Sequence, residues 1–506
     1  MAEIVLIHPP TIFNPVLFRK KFLSAPLVHY GYGMLYLGSF LIKNGYKIKI
    51  INIPELYQWW GCRKELLPSI FSGSHGQTPI LFGIELNWMH QSLGAIQLAK
   101  RLKKFFPEVF IVFGGVHASL FAKEILLEYS DYVDGVIKGE SELSILDLLR
   151  KIESGKPPEN VSGLVWAKNG KVIENPVTKI LENIDEVPPY SPKKLGINKV
   201  FVTPAVNIMR GPCSMECIYC IGPRIPYIFG RQKIACHSIN WIIEQISILI
   251  EEGYKRLFFQ DYFWCIGKNN LLKIAQALQK EKINEKLDYF NITSAPGFLD
   301  EELLEEFSRA GVDNIDYGVE SGSQKVLDTV RRKVTISQIR DSIKISVKKG
   351  IIPNTFWMVG FPEETVEDVM KTFQLLKETI ELGGLPRWVT PLIVVPKTKL
   401  YEEPERYGIK LLFKSFRDYI AFSNTEHNPN AWYPNLITHE TKYFKNYDIL
   451  KMAFILRMLI KRSLNRILEK ARENSKIYMK YHPNLTLSEI EKRITSSISV
   501  IQGSFW

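Results

Sequence analysis

Cysteine is scarce in this chain: six residues in 506. A fold built on disulfides is excluded by that count, and reduced thiols are expected. No apolar run reaches the roughly 18 residues that a membrane-crossing helix needs. The opening Met-Ala-Glu-Ile-Val-Leu-Ile-His-Pro-Pro is too short and too acidic for a signal peptide and reads as a buried first strand, so a cytoplasmic protein is expected. Apolar residues make up 46% and charged residues 23%, an ordinary globular balance. The length predicts about three domains. Positive charge is in excess, with a formal balance of +12. That balance suits an anionic partner such as nucleic acid or a membrane surface; the alternative is a lysine-rich composition without a partner.

Against this scarcity, Cys213, Cys217 and Cys220 stand together in Arg-Gly-Pro-Cys-Ser-Met-Glu-Cys-Ile-Tyr-Cys, a C-x3-C-x2-C pattern. Thiolates so close together read as metal ligands. An iron–sulfur cubane has four iron corners, each normally held by a cysteine, so three ligands leave one iron open to another molecule. Two alternatives stay open. Two of the thiols form a disulfide, or all three hold zinc with a distant fourth ligand, although the paired C-x2-C units usual for zinc are absent. Cys236 and Cys265 each stand alone and read as buried thiols, with Cys265 just beyond a strand and near the cluster face. No fourth cysteine stands near the three in sequence, and none follows Cys265.

Residues 1–150 alternate strand and helix patterns: Ile4–Ile7, Lys47–Ile53, Ile80–Ile84 and Val109–Phe113 are apolar runs, separated by helical segments such as Gln91–Lys104. This order predicts a parallel sheet, with ligands at the carboxyl ends of its strands. Residues 151–200 read as a connector with a hairpin turning at Asn169-Gly170, closed by the proline-rich stretch Pro188–Pro192. Residues 201–395 repeat strand and helix again: Val202–Met209, Arg256–Phe259, Tyr289–Thr293, Asn314–Val319 and Ile352–Val359 are the predicted strands. Polar residues collect at their carboxyl ends, where barrel active sites lie. Residues 396–506 are predicted to be mainly helical, with one basic amphipathic helix from Asp448 to about Arg472. Such a helix suits an anionic membrane surface; the alternative is packing on the barrel with its lysines turned to water.

The cysteine spacing, with Tyr219 beside the third thiol, resembles the signature of the radical SAM superfamily. That resemblance implies a partial (β/α)6 barrel and a 4Fe-4S cluster. S-adenosylmethionine then chelates the open iron and is cleaved to a 5′-deoxyadenosyl radical. It assigns S-adenosylmethionine contacts to Tyr219, Asp261, Glu320, Ser321 and Gly360. Glu320 lies in Gly318-Val319-Glu320-Ser321-Gly322-Ser323, where a carboxylate can take both ribose hydroxyls; the alternative is a structural charge. Gly360-Phe361-Pro362-Glu363-Glu364-Thr365 resembles a Gly-x-Pro-Gly-Glu-Thr loop with Glu363 in place of the usual glycine.

The N-terminal His8-Pro9-Pro10, Gly33–Gly38, Gly114–Ser119 and Gly139–Glu142 segments resemble the Rossmann-like cobalamin-binding domain that precedes many radical SAM cores. Cobalamin contacts then fall to Pro9, Gly114, Gly115, His117 and Glu140, with His117 as a hydrogen-bonded loop histidine the alternative. None of the nine histidines has an Asp two residues before it, so the Asp-x-His-x-x-Gly loop of corrinoid proteins is missing. Cobalt, if bound, lacks that ligand.

The resemblance implies cobalamin-dependent methylation of an unactivated carbon, or else radical ring formation or rearrangement without methyl transfer. A non-catalytic corrinoid or iron–sulfur protein is the alternative of another class. Methylthiotransferases need three further cysteines in the N-terminal domain, and only Cys62 precedes Cys213. The expected partners are a small-molecule or lipid substrate and an external electron donor such as a ferredoxin or flavodoxin. No nucleic acid is expected, and peripheral membrane contact is allowed.

Overall fold

The computed structural model describes residues 3–10, 30–60, 67–73, 76–168, 170–259, 261–423, 436–482, 486–492 and 495. The chain forms two compact units. The first comprises Met1–Thr203, Ile225–Ala235 and Phe413–Trp432; the second comprises Pro204–Arg224, Cys236–Leu412 and Tyr433–Trp506.

The first unit is a seven-stranded sheet: β1 (Glu3–His8), β2 (Lys47–Asn52), β3 (Leu81–Glu85), β4 (Phe110–Gly114), β5 (Gly135–Ile137), β6 (Leu164–Lys168) and β7 (Lys171–Glu174), in the order β2-β1-β3-β4-β5-β6-β7. Strands β1 to β5 run parallel. All of β1 is buried, which its unbroken Ile-Val-Leu-Ile core anticipates for a central parallel strand. Edge strand β2 carries lysines at alternate positions, which discourage pairing with another chain. Helices α1 (Tyr32–Lys43), α2 (Ser92–Phe105), α3 (Val116–Leu120), α4 (Ala122–Tyr129) and α5 (Glu142–Glu153) follow the strands. The expected connector hairpin is β6 and β7, and it extends this sheet antiparallel from β5. Asn169 of its turn lies outside the described residues.

The second unit holds a five-stranded parallel sheet in sequence order: β8 (Arg256–Phe259), β9 (Tyr289–Ser294), β10 (Asn314–Glu320), β11 (Ile352–Val359) and β12 (Leu385–Pro391). Helices α6 (Ile239–Glu251), α7 (Lys268–Lys280), α8 (Glu301–Arg309), α9 (Gln324–Thr329), α10 (Ile336–Lys348) and α11 (Val366–Glu381) connect or precede these strands. The predicted strand Val202–Met209 gives this sheet one parallel bridge, Ala205 with Phe258, while Met209 opens a separate two-residue strand with Arg210. Val206 donates to Phe258 O and Phe258 donates to Pro204 O, but the next free amides, Ile208 and Met209, go to the Asp261 carboxylate. A side chain thus ends the pairing. Strand β12 was not among the predicted strands, because Pro386, Arg387 and Pro391 interrupt its pattern; at an edge of the sheet prolines are tolerated.

The predicted helix from Asp448 to Arg472 is two helices, α12 (Asn446–Arg462) and α13 (Leu464–Tyr481), separated at Ser463. Helix α12 buries Ile449, Ala453, Leu456, Arg457 and Ile460 and packs along β12. Arg457, expected on a solvated basic face, is therefore inside, where its Nε donates to Val389 O at 2.7 Å. Burial lowers its pKa to about 10.

Gly322 follows β10 where α11 comes closest. A Cβ there would lie 2.5 Å from both Lys371 O and Thr372 Cα, which are helix backbone. Gly322→Ala is expected to lower stability by about 1–3 kcal/mol, read from denaturant unfolding of the anaerobically purified protein.

Candidate functional site

The site of the second unit begins at Asp261, directly beyond the described end of β8. Its Oδ2 accepts the Ile208 and Met209 amides at 2.5 and 2.9 Å, and its Oδ1 accepts the Phe263 amide at 3.1 Å. Burial outweighs these bonds and raises its pKa to about 7. The chain so released from the sheet forms the cysteine loop. Ile218 N donates to Val330 O at 3.1 Å, and Ile218 O accepts from Leu400 N at 3.3 Å, so the loop is held at its middle from both sides.

Within the loop the sulfurs already collect donors. Met215 N points to Cys213 Sγ and Gly222 N to Cys220 Sγ, both at 3.4 Å, while Arg332 Nη1 lies 3.9 Å from Cys217 Sγ. Such bonds stabilise negative charge on sulfur and tune the potential of a bound cluster. Burial raises Cys220 to about 11. A buried thiol of this kind ionises when a metal cation is its partner. No group of three or more His, Cys, Asp or Glu among the described residues converges on a single-ion position. A cubane binds each thiolate at a different iron and asks for no such convergence.

Cys265, distant from the other three in sequence and expected near the cluster face, lies beside the cysteine loop. Cys265 follows β8 and shares a hydrogen bond with Cys213. Its Sγ also lies 3.4 Å from Ser214 N and 3.3 Å from Ser214 Oγ. The shared bond raises Cys213 and lowers Cys265 to about 6, so one proton of the pair leaves readily and the other is retained.

Glu320 ends β10 in the left-handed region, φ 71°, where the pairing with β11 shifts register. A bulge of this kind re-aims a side chain. Burial raises the Glu320 pKa, and Arg332 opposes it. The Arg332 guanidinium donates to Gly318 O at 2.5 Å and lies 3.7 Å from Glu320 Oε1. Gly318 allows that approach: a Cβ there would meet Glu320 Oε1 at 2.5 Å and Arg332 Nη2 at 2.9 Å. Sequence reasoning missed Arg332, because Arg331-Arg332-Lys333 reads as a solvated charge run.

Ser321 is fully buried; its hydroxyl meets Thr372 Oγ1 at 3.2 Å and accepts the Ser323 amide at 3.2 Å. Ser323 Oγ in turn donates to Asp368 Oδ1 at 2.7 Å, and Asp368 forms a capping box with Thr365 at the start of α11. The Gly360–Thr365 loop closes on itself. Glu364 Oε2 accepts the Gly360 amide at 2.6 Å and the Phe361 amide at 3.2 Å, and His439 Nε2 bonds Gly360 O at 2.7 Å. Glu363, which stands where the resembled Gly-x-Pro-Gly-Glu-Thr loop has glycine, takes φ 55°, in the left-handed region. Tyr219 packs edge-on against Phe361, with ring centroids 5.6 Å apart. Around this ring of loops four buried polar atoms have no hydrogen-bond partner: Tyr219 Oη, Arg332 Nε, Glu364 Oε1 and His439 Nδ1. Their spare hydrogen-bonding capacity fits a polar ligand.

In the first unit the predicted residues lie at the carboxyl edge of the parallel strands. Pro9 follows β1 and is buried, beside the buried contact of His8 Nδ1 with Glu85 Oε1. No atom comes within 4 Å of a Cβ placed on Gly114, whereas one on Gly115, at φ 101°, would strike Asn87 Oδ1 at 2.4 Å. Open space beside Gly114 fits the approach of a bulky ligand. His117 is enclosed by Phe121, Phe416 and Tyr419, with ring centroids 5.0 to 5.8 Å away. Burial lowers its pKa to about 3, and Nε2 has no hydrogen-bond partner. Glu140 holds Arg231 through both carboxylate oxygens, Nη2 to Oε2 at 2.7 Å, and Arg231 also donates to Leu181 O at 2.6 Å.

Residues 206–376 match the Radical SAM superfamily. The chain is 28% identical over 289 residues to an uncharacterized methyltransferase of Pyrococcus horikoshii, covering 56% of this chain and 61% of that protein. It is 25% identical over 299 residues to the anaerobic magnesium-protoporphyrin IX monomethyl ester cyclase of Rubrivivax gelatinosus, covering 56% and 51%. The chain thus spans about half to three-fifths of the length of these relatives. In fold it is similar to the radical S-adenosylmethionine methyltransferase TsrM of Kitasatospora setae, solved with cobalamin and a [4Fe-4S] cluster, with TM-score 0.66 at 14% identity over 91% of this chain and 89% of that one. It is also similar to the cobalamin-dependent S-adenosylmethionine radical enzyme OxsB, with TM-score 0.64 at 15% identity over 100% and 80%.

Two measurements check this geometry. Asp261→Ala frees the Ile208 and Met209 amides, and is expected to lower iron bound per chain after anaerobic reconstitution while the thermal transition persists; Asp261→Asn, which keeps an acceptor, is expected to retain more iron. Glu364 is held at about 8 against an ordinary 4.5, so the folded protein keeps a proton that the unfolded chain has lost. Its contribution is full below about pH 4.5 and fades as pH rises through 8. Glu364→Gln is expected to flatten that decline in unfolding titrations across this window.

Proposed function

We propose that this chain, a radical SAM protein through residues 206–376, abstracts hydrogen from an unactivated carbon of a small-molecule substrate and carries out cobalamin-dependent C-methylation. The observation that carries the reading is the single loop bearing Cys213, Cys217 and Cys220, ringed by buried polar atoms that lack partners. When bound, a 4Fe-4S cluster with S-adenosylmethionine supplies a 5′-deoxyadenosyl radical, and methylcobalamin supplies a methyl group.

The residues divide the remaining tasks. The three thiols hold the cluster, and the Met215 and Gly222 amides quiet charge on two of its sulfurs. Glu320, re-aimed by its bulge and balanced by Arg332, presents a carboxylate suited to ribose hydroxyls. Tyr219 and the Gly360 loop bound the same space. Asp261 and Ser321, assigned to S-adenosylmethionine from the resemblance, spend their oxygens on protein groups, and we assign them to positioning. In the first unit Pro9, Gly114 and Gly115 border the edge open to cobalamin. His117 belongs to an aromatic cluster and Glu140 to an ion pair, so we assign both to packing.

Two observations favour narrower alternatives. The cyclase relative supports radical ring formation without methyl transfer. Cys265 beside Cys213 supports a fourth thiolate ligand and a cluster that only transfers electrons. The tRNA-2-methylthio-N(6)-dimethylallyladenosine synthase of Thermodesulfovibrio yellowstonii is 29% identical over 310 residues, but the N-terminal cysteine trio of methylthiotransferases is missing here. The reading also requires an external reductant, for which an acidic ferredoxin or flavodoxin suits the positive balance of the chain.

The test is product analysis after anaerobic reconstitution with S-adenosylmethionine, cobalamin, a reductant and host cell extract. Expected are 5′-deoxyadenosine and S-adenosylhomocysteine in similar amounts, dependent on extract and lost in Cys213→Ala, Cys217→Ala and Cys220→Ala. 5′-Deoxyadenosine alone selects ring formation. Neither product from the parent, with 5′-deoxyadenosine appearing only in Cys265→Ser, selects the four-cysteine electron carrier.

A further inference from the structure

The sheet of the second unit has two unlike faces. On β10, Ile315, Tyr317 and Val319 are buried, and the Tyr317 hydroxyl meets Ser346 Oγ of α10 at 3.0 Å, so theirs is the helix-covered face. Asp316, Gly318 and Glu320 alternate with them and face the other way. All three are only partly buried, as are Phe356 and Met358 on the neighbouring β11. This inner face stays partly open from Asp316, near the start of β10, to Glu320 at its carboxyl end.

At the Asp316 end stands a polar cluster that the cysteine site does not use. Asp316 Oδ2 accepts from Asn291 Nδ2 of β9 at 3.0 Å, and its Oδ1 accepts from Asn354 Nδ2 of β11 at 2.7 Å. The two amides fix the carboxylate from both sides, yet take only two of its roughly four acceptor positions. Both asparagines are buried, 2% and 0% exposed, and their Oδ1 atoms have no hydrogen-bond partner. Orphaned acceptors of this kind are uncommon in native interiors. Burial raises the Asp316 pKa, and Arg387 of β12 opposes it. Arg387 is partly buried and makes no hydrogen bond or ion pair among the described residues. Arg256 of β8 lies over the Tyr289 ring, 4.5 Å from its centroid, and likewise has no ion pair among them. The Tyr289 hydroxyl feels Asp316, Arg387, Asp313 and Arg256 together, so these charges gather at one end of the face. Asp313 is the one already engaged, accepting the Phe290 amide at 3.0 Å and Asn314 Nδ2 at 2.9 Å.

We propose that this cluster holds the polar end of the substrate, and that this end is a carboxylate with an amino or hydroxyl group beside it. The assignment rests on the reaction proposed above, since it names the class of molecule that reaction takes. Arg387 offers a planar fork that pairs with a carboxylate through two parallel hydrogen bonds. Asp316, oriented by its two asparagines, accepts from the amino or hydroxyl group. A carboxylate suits the site better than a phosphate dianion, because Asp316 and Asp313 stand beside it and repel a second negative charge. Four residues separate Asp316 from Glu320, about 13 Å along the strand. Between those levels Phe356, which pairs with Gly318 in register, and Met358 give the inner face apolar side chains. A small molecule anchored at Asp316 and Arg387 therefore lays a carbon body along Phe356 and Met358 and brings its far end to the level of Glu320.

The experiment is ligand capture. The full, anaerobically reconstituted chain is mixed with a small-molecule extract of the host cells, passed rapidly through a desalting column and denatured, and the released compounds are identified by mass spectrometry. A second arm uses the same extract after methyl esterification of its carboxylates. Expected is retention of a carboxylic acid bearing an amino or hydroxyl group, lost in the esterified arm. Arg387→Gln and Asp316→Asn are each expected to retain about tenfold less or below, with iron content and thermal transition matching the parent. The esterified arm uses the parent chain, so it decides even where a variant folds poorly. No retained compound, equal retention from the esterified extract, retention of a phosphate ester or an inorganic anion in place of a carboxylic acid, or variants that retain as much as the parent overturn the proposal. The retained compound is then added back with S-adenosylmethionine and reductant. Retention that depends on Arg387 but yields no 5′-deoxyadenosine keeps the subsite and sinks the radical reading; 5′-deoxyadenosine from whole extract without such retention sinks the subsite alone.

Discussion

One buried carboxylate decides where the sheet of the second unit stops and its cysteine loop starts. A chain running beside β8 would go on pairing as long as its amides have carbonyl partners, and Ala205 and Val206 do pair. At Ile208 and Met209 the Asp261 carboxylate takes both amides. Leaving two buried amides unpaired would cost about 1–3 kcal/mol each, so the side chain substitutes for a strand and turns the backbone outward. Everything downstream inherits that exit: the placement of Cys213 beside Cys265, the anchoring of Ile218, and the approach of Arg332 to Cys217. The loop is thus held by hydrogen bonds outside the cysteines themselves.

The second constraint is electrostatic. A buried arginine and glutamate repay their desolvation only with good geometry and further hydrogen bonds. Arg332 and Glu320 approach at 3.7 Å, a loose contact, and Arg332 Nε has no partner. The guanidinium instead gives its shortest bond to Gly318 O. A pair that is incompletely satisfied by protein has bonds left to give to a ligand, and the same holds for Tyr219, Glu364 and His439 around it. Ser321, Ser323 and Asp368 are the opposite case: their oxygens are consumed in tying β10 to α11, which makes them a scaffold for Glu320.

Much of the fold was legible because its strands are short apolar runs between helical periods. The boundaries of β8 and β11 match the reading residue for residue. What escaped did so for identifiable reasons. Proline at both ends of β12 masks a strand that survives because it lies at a sheet edge. Arg457 looks solvated beside Lys461 and Arg462, yet the 3.6-residue period turns it inward with Leu456 and Ile460. Arg332 is indistinguishable in sequence from Arg331 and Lys333, and only the fold selects it. Cys265 is 45 residues beyond Cys220, and that separation conceals a direct contact with Cys213. The three-cysteine loop itself was plain, since short spacing needs no tertiary information.

Two strained residues point to the same conclusion as the unpaired atoms. Glu320 and Glu363 adopt φ of 71° and 55°, positions where a side chain costs about 1–2 kcal/mol that glycine would avoid. Each follows or ends a strand at the carboxyl edge of the sheet, and each is over-determined by its surroundings. Arg332 and the β10–β11 register shift fix Glu320; Lys325 bonding Glu363 O at 2.9 Å and the Glu364 clamp fix Glu363. Strain of this kind persists where the surrounding structure imposes it, and it clusters at sites that bind or react. For Glu320 the bulge has a clear use, because it turns a carboxylate toward the space beside Cys217 and Tyr219. Among the described residues the ion pair of the Glu363 side chain is with Lys442, at 3.9 Å and exposed, so the strain there serves the backbone turn. The carboxylate that matters in that loop is its neighbour Glu364, which holds the Gly360 amide and leaves one oxygen free.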